Sequence, residues 1–351
     1  MKILIIKTSA IGDIIHAFSA LSFIKAHIPN STVHWLVEKP FSSLLDAHPQ
    51  IDKVYCIDSK RWKNNFFSKE TLQEIKELKS SVQKTEYDFI FDLQGNVKSA
   101  LCLSIFRSKK KVGFAFKSVP EWPNCFFTNK RYNPPLGKNI REDYLFLIQK
   151  ALNLPLRPFS LIPIELKISS EEKNHIKFLI EKGQDSQTKI CVALGSNWKN
   201  KKLPVSTLTS YLKKHPRLKN AFYFLIYGNE KEKIEAQTFA KSFEGKNLIV
   251  ERLSLPALQN FIADLDLIIS MDSMPLHLAE TTSTASLSFF GPSLAKKYCP
   301  TGEQHQTIQG KCPYGRTFAK RCSILRICKT GACIKDLKEK DIEDHVTLNV
   351  N

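Results

Sequence analysis

The sequence lacks the features that mark several large classes of protein. No apolar run approaches the ~20 residues that a membrane-spanning helix needs. The N-terminus reads as a strand instead of a charged segment followed by a hydrophobic signal core. We therefore expect a cytoplasmic protein.

Motifs for common nucleotide and hydrolase chemistry are missing as well. The absence of a GxxxxGK[ST] loop and of a GxGxxG after a strand argues against a P-loop NTPase and a dinucleotide-dependent oxidoreductase. Without a GxSxG segment, a serine hydrolase with a nucleophile elbow is not expected. Zinc-finger spacing, a helix-turn-helix pattern and an RNP-like aromatic motif are not found, so we expect no nucleic-acid partner.

Positively charged residues clearly outnumber negatively charged ones in the sequence. The chain has 351 residues, with 52 Lys and Arg against 34 Asp and Glu, and a formal net charge of +18. A surplus of that size favours polyanionic partners such as nucleic acid, nucleotide phosphates or an anionic membrane surface. Lysine-rich usage on solvated helix faces is the alternative explanation.

Strand-like and helix-like segments alternate along the chain, which is typical of a parallel sheet covered by helices. A cluster of prolines between 132 and 163 indicates a linker. We predict two doubly wound α/β domains that face each other across a cleft, at 1–163 and 164–334. The second includes a basic, cysteine-bearing segment, 293–334, with little periodicity, and 335–351 is predicted as a C-terminal helix that packs on the first domain. Strands are predicted at 3–6, 32–38, 53–57, 88–93, 111–116, 189–194, 221–227, 265–271 and 285–290.

The loop after the first strand carries a single carboxylate, Asp13, between Gly12 and a helical pattern. In an open parallel sheet, ligands bind at the carboxyl ends of the strands, and this loop lies there. Asp is also a preferred helix-capping residue. The sequence leaves both interpretations open, a helix cap and a catalytic base.

Polar side chains follow the strands of the second half in the same way. Ser196, Asn197 and Lys201 have the chemistry to bind phosphate, and Glu232 has the chemistry to accept hydrogen bonds from ribose. An acid, a hydroxyl and an imidazole occur together at the start of a predicted helix, as Asp272, Ser273 and His277. Each has a structural alternative, since Ser273 can cap a helix, Lys201 can be solvated and His277 can be an ordinary helix residue.

Five segments in order resemble the heptosyltransferases of glycosyltransferase family 9, and most of all the heptosyltransferase I type. They are KTSAIGDIIH at 7–16, FDLQGNVKSAL at 91–101, SNWKNKKLP at 196–204, DSMPLHLAE at 272–280 and FFGP at 289–292. The resemblance implies a GT-B fold with an acceptor-binding first domain and an ADP-sugar-binding second domain. It also implies ADP-L-glycero-D-manno-heptose as donor, the Kdo region of the lipopolysaccharide inner core as acceptor, inversion at the anomeric carbon, and no metal or other cofactor.

The same resemblance assigns roles by position. Asp13 matches the catalytic base, and Lys7, Arg61 and Lys98 match basic positions on the acceptor side. The implied donor-binding residues are Ser196, Asn197, Lys201, Glu232, Leu253, Asp272, Ser273 and His277. One departure from the family pattern is Met274-Pro275, which replaces a glycine beside the pyrophosphate and leaves open a family member that uses another sugar nucleotide or adds the second heptose.

An anionic Kdo-lipid A acceptor in the inner leaflet would account for the positive charge of the chain, and implies a peripheral location at the inner membrane. The first domain has basic residues interleaved with aromatic ones, as expected for an interfacial surface. They are Arg107, Lys109, Lys110, Lys111, Lys117, Lys130 and Arg131, with Phe114, Phe116, Trp122, Phe126 and Phe127. A non-catalytic, basic protein that binds nucleotide or nucleic acid is the alternative of another class.

Four of the nine cysteines crowd into the basic segment, as Cys312, Cys322, Cys328 and Cys333. The intervals of nine, five and four residues lack the C-x-x-C pairs typical of zinc sites. A structural metal or cluster, disulfides and reduced thiols all remain open.

Overall fold

Two parallel sheets, each with its own helices, make up the protein. The structure is a computed structural model and describes residues 1–65, 67–158, 161–196, 198–216 and 218–344. The chain divides into a first unit, Met1–Ile162, and a second unit, Pro163–Asn351. This boundary lies one residue before the predicted one. Across the described ranges, no helix combines the length and apolarity required to cross a membrane.

The first unit contains a six-stranded parallel sheet and a separate two-stranded pair. Its strands are β1 (Lys2–Ile6), β2 (Thr32–Glu38), β3 (Lys53–Ile57), β4 (Glu86–Tyr87), β5 (Phe89–Asp92), β6 (Arg107–Ser108), β7 (Lys111–Phe114) and β8 (Lys130–Tyr132). Its α-helices are α1 (Ile11–His16), α2 (Phe18–His27), α3 (Ser42–Asp46), α4 (Ser59–Asn64), α5 (Lys69–Gln83), α6 (Val97–Ile105) and α7 (Ile140–Ala151), with 3₁₀ turns at Lys39–Phe41 and Trp122–Phe127.

The second unit contains a six-stranded sheet in which all the strands are again parallel. Its strands are β9 (Lys189–Ala193), β10 (Phe222–Ile226), β11 (Asn247–Ile249), β12 (Leu267–Met271), β13 (Ala285–Phe290) and β14 (His305–Gln309). Its helices are α8 (Ser170–Glu181), α9 (Val205–Lys214), α10 (Glu230–Ala240), α11 (Leu255–Ala263), α12 (Met274–Ala279), α13 (Ala295–Tyr298), α14 (Ala332–Lys335) and α15 (Glu339–Glu343), with a 3₁₀ turn at Lys199–Lys201.

The central strands are buried on both faces, because helices cover both sides of each sheet. In β1, every residue from Ile3 to Ile6 is fully buried, and β10 and β12 are buried along their whole length. Such strands appear in the sequence as continuous apolar runs without alternation. The predicted mixed α/β class with two parallel sheets is therefore confirmed.

Both six-stranded sheets have the same strand order. The order is β3-β2-β1-β5-β7-β8 in the first unit and β11-β10-β9-β12-β13-β14 in the second. In each, the chain starts at a central strand, runs to one edge, and returns to continue on the other side. Ligands of such sheets bind where this reversal occurs, at the carboxyl ends of the two central strands. The expected binding loops are those after β1 and β5, and those after β9 and β12.

Five strands were not predicted from the sequence: β4 and β6, which form the separate two-stranded pair, and three edge strands of the six-stranded sheets. β8 and β14 are the outermost strands on one side of their sheets, and β11 is the outermost strand on the other side of its sheet. They have few buried positions, so their composition is polar and their apolar pattern is short. β14 also lies inside the segment 293–334, for which the sequence predicted little regular structure.

The end of the described chain belongs to the second unit. Ile342 of α15 is fully buried in the same apolar cluster as Leu208 and Leu212 of α9. Glu339 forms an ion pair with Lys214 at 2.7 Å and accepts a hydrogen bond from Ser210 at 2.7 Å. Residues 335–344 thus pack on α9, which differs from the predicted packing on the first domain, because Ile342 completes the core of the second unit.

Truncating Ile342 tests this packing. We expect Ile342→Ala to lower the free energy of unfolding of the second unit by about 2–4 kcal/mol, because a buried aliphatic side chain is replaced by a cavity. Chemical denaturation followed by circular dichroism measures the loss. Ile234→Ala removes an equal side chain that is 62% exposed on α10, and should change stability by less than about 0.5 kcal/mol. Equal effects of the two substitutions would contradict the assigned packing.

Candidate active site

The loop after β1 is tied to the loop after β5. The backbone amides of Thr8 and Ser9 both donate to Oε1 of Gln94, each at 3.1 Å. The buried ammonium of Lys7 donates to the carbonyl of Leu93 at 3.2 Å. The two loops at the reversal point of the first sheet therefore form one hydrogen-bonded structure.

Asp92, the last residue of β5, organises the second of these loops. Its carboxylate is fully buried and accepts from the amides of Gln94 and Gly95 at 3.0 Å, from Ser99 Oγ at 2.8 Å and from Asn124 Nδ2 at 2.6 Å. Burial raises the pKa of this carboxyl, although the four hydrogen bonds act in the opposite direction. Sequence reasoning gave Asp92 and Gln94 no role; the available signal was their position at the end of a central strand.

Asp13 is the third residue of α1 and is half-buried. Its Oδ2 accepts a hydrogen bond from the amide of Ala10 at 3.3 Å, which stabilises the start of the helix. The carboxylate remains partly accessible at the carboxyl end of β1. The structure therefore shows the helix-start contact and leaves the carboxylate of Asp13 partly accessible in the loop after β1.

The predicted acceptor-side cations follow the carboxyl ends of three strands, and two of them pair with carboxylates. Lys98, at the start of α6, donates to Glu38 Oε1 at 2.7 Å, and Glu38 also accepts from the amide of Ser59 at 3.1 Å. Arg61 on α4 pairs with Asp58 at 3.2 Å and is hydrogen-bonded to Glu74. Lys7 follows β1, and its ammonium lies 5.3 Å from the ring centre of Tyr144.

The donor side of the second unit contains a buried cluster of opposite charges. Lys201 Nζ lies 2.5 Å from Asp272 Oδ2, and His277 Nε2 lies 3.7 Å from Asp272 Oδ1. Burial opposes ionisation of Asp272, but the contacts with His277 and the positive charge of Lys201 outweigh it and hold the pKa of this carboxyl well below its ordinary value. The loops after β9 and β12, which supply Lys201 and Asp272, thus meet at the reversal point of the sheet.

Glu232 lies where the loops after β9 and β10 meet. Its Oε2 accepts from the amide of Gly228 at 2.7 Å. The backbone of Gly195 comes so close that a Cβ there would lie 2.4 Å from Glu232 Cδ, so a side chain at this position would displace the Glu232 carboxylate. Asn229 caps α10 through a hydrogen bond from the amide of Glu232 at 3.2 Å. The carboxylate is buried and its position is fixed by backbone on two sides.

The remaining donor-side predictions have mixed outcomes. Ser196 is half-buried directly after β9, and Leu253 is half-buried just before α11. Asn197 lies outside the described residues. Ser273 occupies the position before α12, but its Oγ contacts Ser270 Oγ at 3.3 Å and makes no capping hydrogen bond to that helix. Met274 and Pro275 form the first helical residues of α12.

The basic and aromatic surface of the first unit is smaller than predicted. Phe116, Trp122 and Phe126 are 59%, 61% and 71% exposed, whereas Phe114 is buried in β7 and belongs to the interior. Lys111 turns inward and donates to the carbonyl of Leu103 at 3.1 Å. The exposed aromatic rings lie on the segment between β7 and β8.

The chain is similar to known proteins in sequence. The sequence profile of glycosyltransferase family 9 (heptosyltransferase) matches residues 75–327, more than half of the chain. A lipopolysaccharide heptosyltransferase 1 from Campylobacter coli is 32% identical in an alignment that covers 97% of this chain and 97% of that protein.

Solved structures show the same fold. The E. coli heptosyltransferase WaaC with ADP-2-deoxy-2-fluoro heptose aligns with a TM-score of 0.71 at 22% identity, and covers 89% of this chain and 94% of that one. A glycosyltransferase family 9 protein from Veillonella parvula aligns with a TM-score of 0.79 at 15% identity, and covers 98% and 95%.

The strand order of the two sheets and the likeness to these solved structures define a glycosyltransferase of the GT-B fold. The chain belongs to glycosyltransferase family 9, the heptosyltransferase family. The resemblance found in the sequence is thereby confirmed.

The pH dependence of stability in an Asp272 variant tests the buried ion pair of Lys201 and Asp272. The unfolded chain binds a proton at this carboxyl near pH 4, whereas the folded chain resists protonation because its pKa is lowered. The stabilisation is therefore complete above about pH 4 and is lost as pH falls. We expect the melting temperature to decline less between about pH 5 and pH 3 in Asp272→Asn than in the wild type.

At neutral pH, Asp272→Asn itself should destabilise the protein by about 3 kcal/mol, because Lys201 is left buried without its counter-charge. Asp185→Asn, which removes an exposed carboxylate of the same unit, is the matched control and should keep the wild-type acid profile. Parallel profiles for Asp272→Asn and the wild type would show that the pair does not govern the acid sensitivity.

Proposed function

We propose that this protein transfers L-glycero-D-manno-heptose from ADP-heptose to the Kdo region of the lipopolysaccharide inner core, with inversion and with Asp13 as general base. The proposal rests on membership of glycosyltransferase family 9 and on one geometric observation. That observation is the buried cluster of Lys201, Asp272 and His277 at the reversal point of the second sheet.

The second unit has the chemistry to hold an ADP-sugar. A diphosphate needs a cation, and Lys201 is held by Asp272 at the carboxyl end of the sheet. A ribose needs an acceptor for its hydroxyls, and the buried Glu232 carboxylate is fixed beside the loops after β9 and β10. Leu253 is proposed to pack on the adenine, and Ser196, Asn197 and Ser273 to contact the phosphates. The ADP-heptose analogue in the related WaaC structure is consistent with this donor.

The first unit supplies the acceptor side of the proposal. Asp13 is accessible at the end of β1, and Lys7, Arg61 and Lys98 follow the ends of β1, β3 and β5. These cations are proposed to bind the acidic groups of the Kdo-lipid A acceptor.

In the proposed reaction, a hydroxyl oxygen of the acceptor attacks the anomeric carbon of the heptose. The bond between that carbon and the β-phosphate oxygen breaks, and ADP leaves with the bonding pair. Asp13 takes the proton of the attacking hydroxyl. Lys201 and nearby backbone amides stabilise the negative charge that develops on the departing diphosphate. The scheme uses no metal or other cofactor.

The acceptor is a lipid, so we also propose that the protein works at the inner face of the inner membrane. Phe116, Trp122 and Phe126 expose large apolar areas. The exposed cation Lys117 lies in the same segment, and the guanidinium of the exposed Arg131, in β8, lies 5.8 Å from the ring centre of Phe116. Exposed aromatic rings next to cations match the chemistry of an anionic bilayer surface.

The role of Asp13 is tested with Asp13→Asn, which keeps an oxygen able to accept from Ala10. We expect ADP-heptose binding to stay within about twofold of wild type, while transfer to Kdo-lipid A falls about 100-fold or more, as is typical when a general base is removed. Calorimetry measures binding and release of ADP measures transfer. Near-normal transfer would refute the assignment.

Two lysine variants serve as controls. Lys201→Ala should weaken ADP-heptose binding, whereas Lys202→Ala should not, because Lys202 pairs with Glu235 at 2.8 Å instead of with Asp272. A panel of nucleotide sugars and acceptors distinguishes the alternatives. Turnover of another donor, or of an acceptor that already carries one heptose, would indicate a different member of the family. Binding of nucleotide without any turnover would indicate a non-catalytic protein.

Membrane binding is tested by sedimentation with vesicles of phosphatidylglycerol and phosphatidylcholine. We expect binding at ~0.1 M salt and its loss at ~1 M salt, because the screening length falls from ~10 Å to ~3 Å. Replacing Trp122 and Phe126 together by Ala should reduce binding, whereas Phe178→Ala, at a 52% exposed ring of the second unit, should not. Binding that is insensitive to salt would contradict the proposal.

A further inference from the structure

The segment 311–330 of the second unit has no core of its own. All its residues are described, none is buried, and none belongs to a helix or to a strand of the sheet; one isolated bridge joins Arg321 to Ser293. Irregular segments of this length inside a compact unit are uncommon. Where apolar burial is too small to order a chain, metals or disulfides usually supply the missing stabilisation.

The four cysteines of this region surround one cavity. Cys312, Cys322, Cys328 and Cys333 all line a space of about 300 Å³. Intervals of nine, five and four residues separate them in the sequence, so only the folding of the segment brings them to a common space. The rest of the lining is mostly apolar, with Pro292, Phe318, Ile324 and Ile327, and also includes the cations Arg316 and Lys329.

One of the four thiols already accepts a hydrogen bond from the backbone. The amide of Gly331 donates to Cys328 Sγ at 3.4 Å, and Thr330 Oγ1 lies 3.7 Å from the same sulfur. Hydrogen bonds of this kind stabilise and orient a thiolate that binds a metal.

We propose that Cys312, Cys322, Cys328 and Cys333 bind a thiolate-coordinated metal centre, either a single ion such as Zn²⁺ or an iron–sulfur cluster. Within the described ranges, no three His, Cys, Asp or Glu side chains are already arranged to hold an ion. A zinc ion draws its sulfurs to about 2.3 Å, so a single ion requires the segment to contract, whereas a cluster would fill more of the cavity. In either case the thiols release their protons to solvent as the metal–sulfur bonds form.

The metal centre would stabilise the loop after β9, residues 198–200, which leads to Lys201. Asn200 Nδ2 donates to the carbonyl of Leu325 at 2.5 Å, and a Cβ on Gly331 would lie 2.8 Å from Asn200 Cα. The guanidinium of Arg326 lies 6.0 Å from the ring centre of Trp198. The cysteine segment therefore packs against residues 198–200, immediately before Lys201. This consequence, unlike the metal site itself, rests on the proposed role of Lys201 in donor binding.

The test is metal and acid-labile sulfide content in the full-length protein purified without oxygen. We expect about one zinc ion per chain, or iron with acid-labile sulfide, and near-complete loss in each of the four Cys→Ser variants. Cys299→Ser is the matched control, because Cys299 is a half-buried cysteine of the same basic segment that does not line the cavity. Metal-free folded protein with disulfides or four freely reactive thiols at these positions would overturn the proposal.

If a variant fails to fold, the wild-type protein tests the site instead, after a chelator has removed its metal. Titration with Co²⁺ should produce thiolate-to-cobalt charge-transfer absorption, and its absence would overturn the site.

ADP affinity, measured with and without metal, tests separately whether the metal centre stabilises the loop before Lys201. Loss of metal should weaken ADP binding about five- to tenfold, on the scale of one lost hydrogen bond. Unchanged ADP affinity would overturn this stabilisation and leave the metal site standing, and the metal content does not depend on whether the proposed transfer reaction is correct.

Discussion

A buried carboxylate at the reversal point of each sheet is the constraint on which both candidate sites depend. Asp92 ends β5 and Asp272 follows β12, and these strands occupy equivalent places beside the first strand of their sheets. Asp92 is held by two amides, Ser99 and Asn124, and burial raises its pKa. Asp272 is held by Lys201 and His277, and its pKa is lowered. One position therefore serves two purposes, shaping a loop in the first unit and holding a cation in the second.

The different surroundings of Asp92 and Asp272 follow from the groups that each loop holds in place. Hydrogen bonds to the Asp92 carboxylate fix Gln94, and Gln94 fixes the backbone that leads to Asp13. This task needs hydrogen-bond donors around Asp92 and no cation. A cation proposed to bind a diphosphate is costly to bury alone, and a carboxylate beside it offsets the cost while keeping the ammonium at one place. The pair of Lys201 and Asp272 is thus better explained by positioning than by stability, since buried ion pairs contribute little net stabilisation.

Sequence reasoning located the central strands and the loops after them, because fully buried strands leave continuous apolar runs that end at polar residues. It missed the edge strands β8, β11 and β14, whose few buried positions leave no such run, and the two-residue strands β4 and β6. It placed Phe114 on a surface because a ring next to lysines looks the same whether β7 turns it inward or outward. Gln94 and the common cavity of the four cysteines depend on contacts between distant parts of the chain, which no local pattern encodes. Membership of the family, in contrast, was visible from five short segments in order.

The cations of the first unit carry a further implication for acceptor binding. Lys98 already pairs with Glu38, and Arg61 with Asp58 and Glu74. An acidic acceptor that uses these cations must share or displace carboxylates that hold them now, so part of its interaction energy is offset by the pairs it disturbs. Such an exchange favours one acceptor over another more than it raises the affinity for any of them. Only an anion whose geometry matches these cations replaces the interaction energy of the broken ion pairs. The large positive charge of the chain would then act mainly at long range, drawing the protein to an anionic surface, while the paired cations select what is bound there.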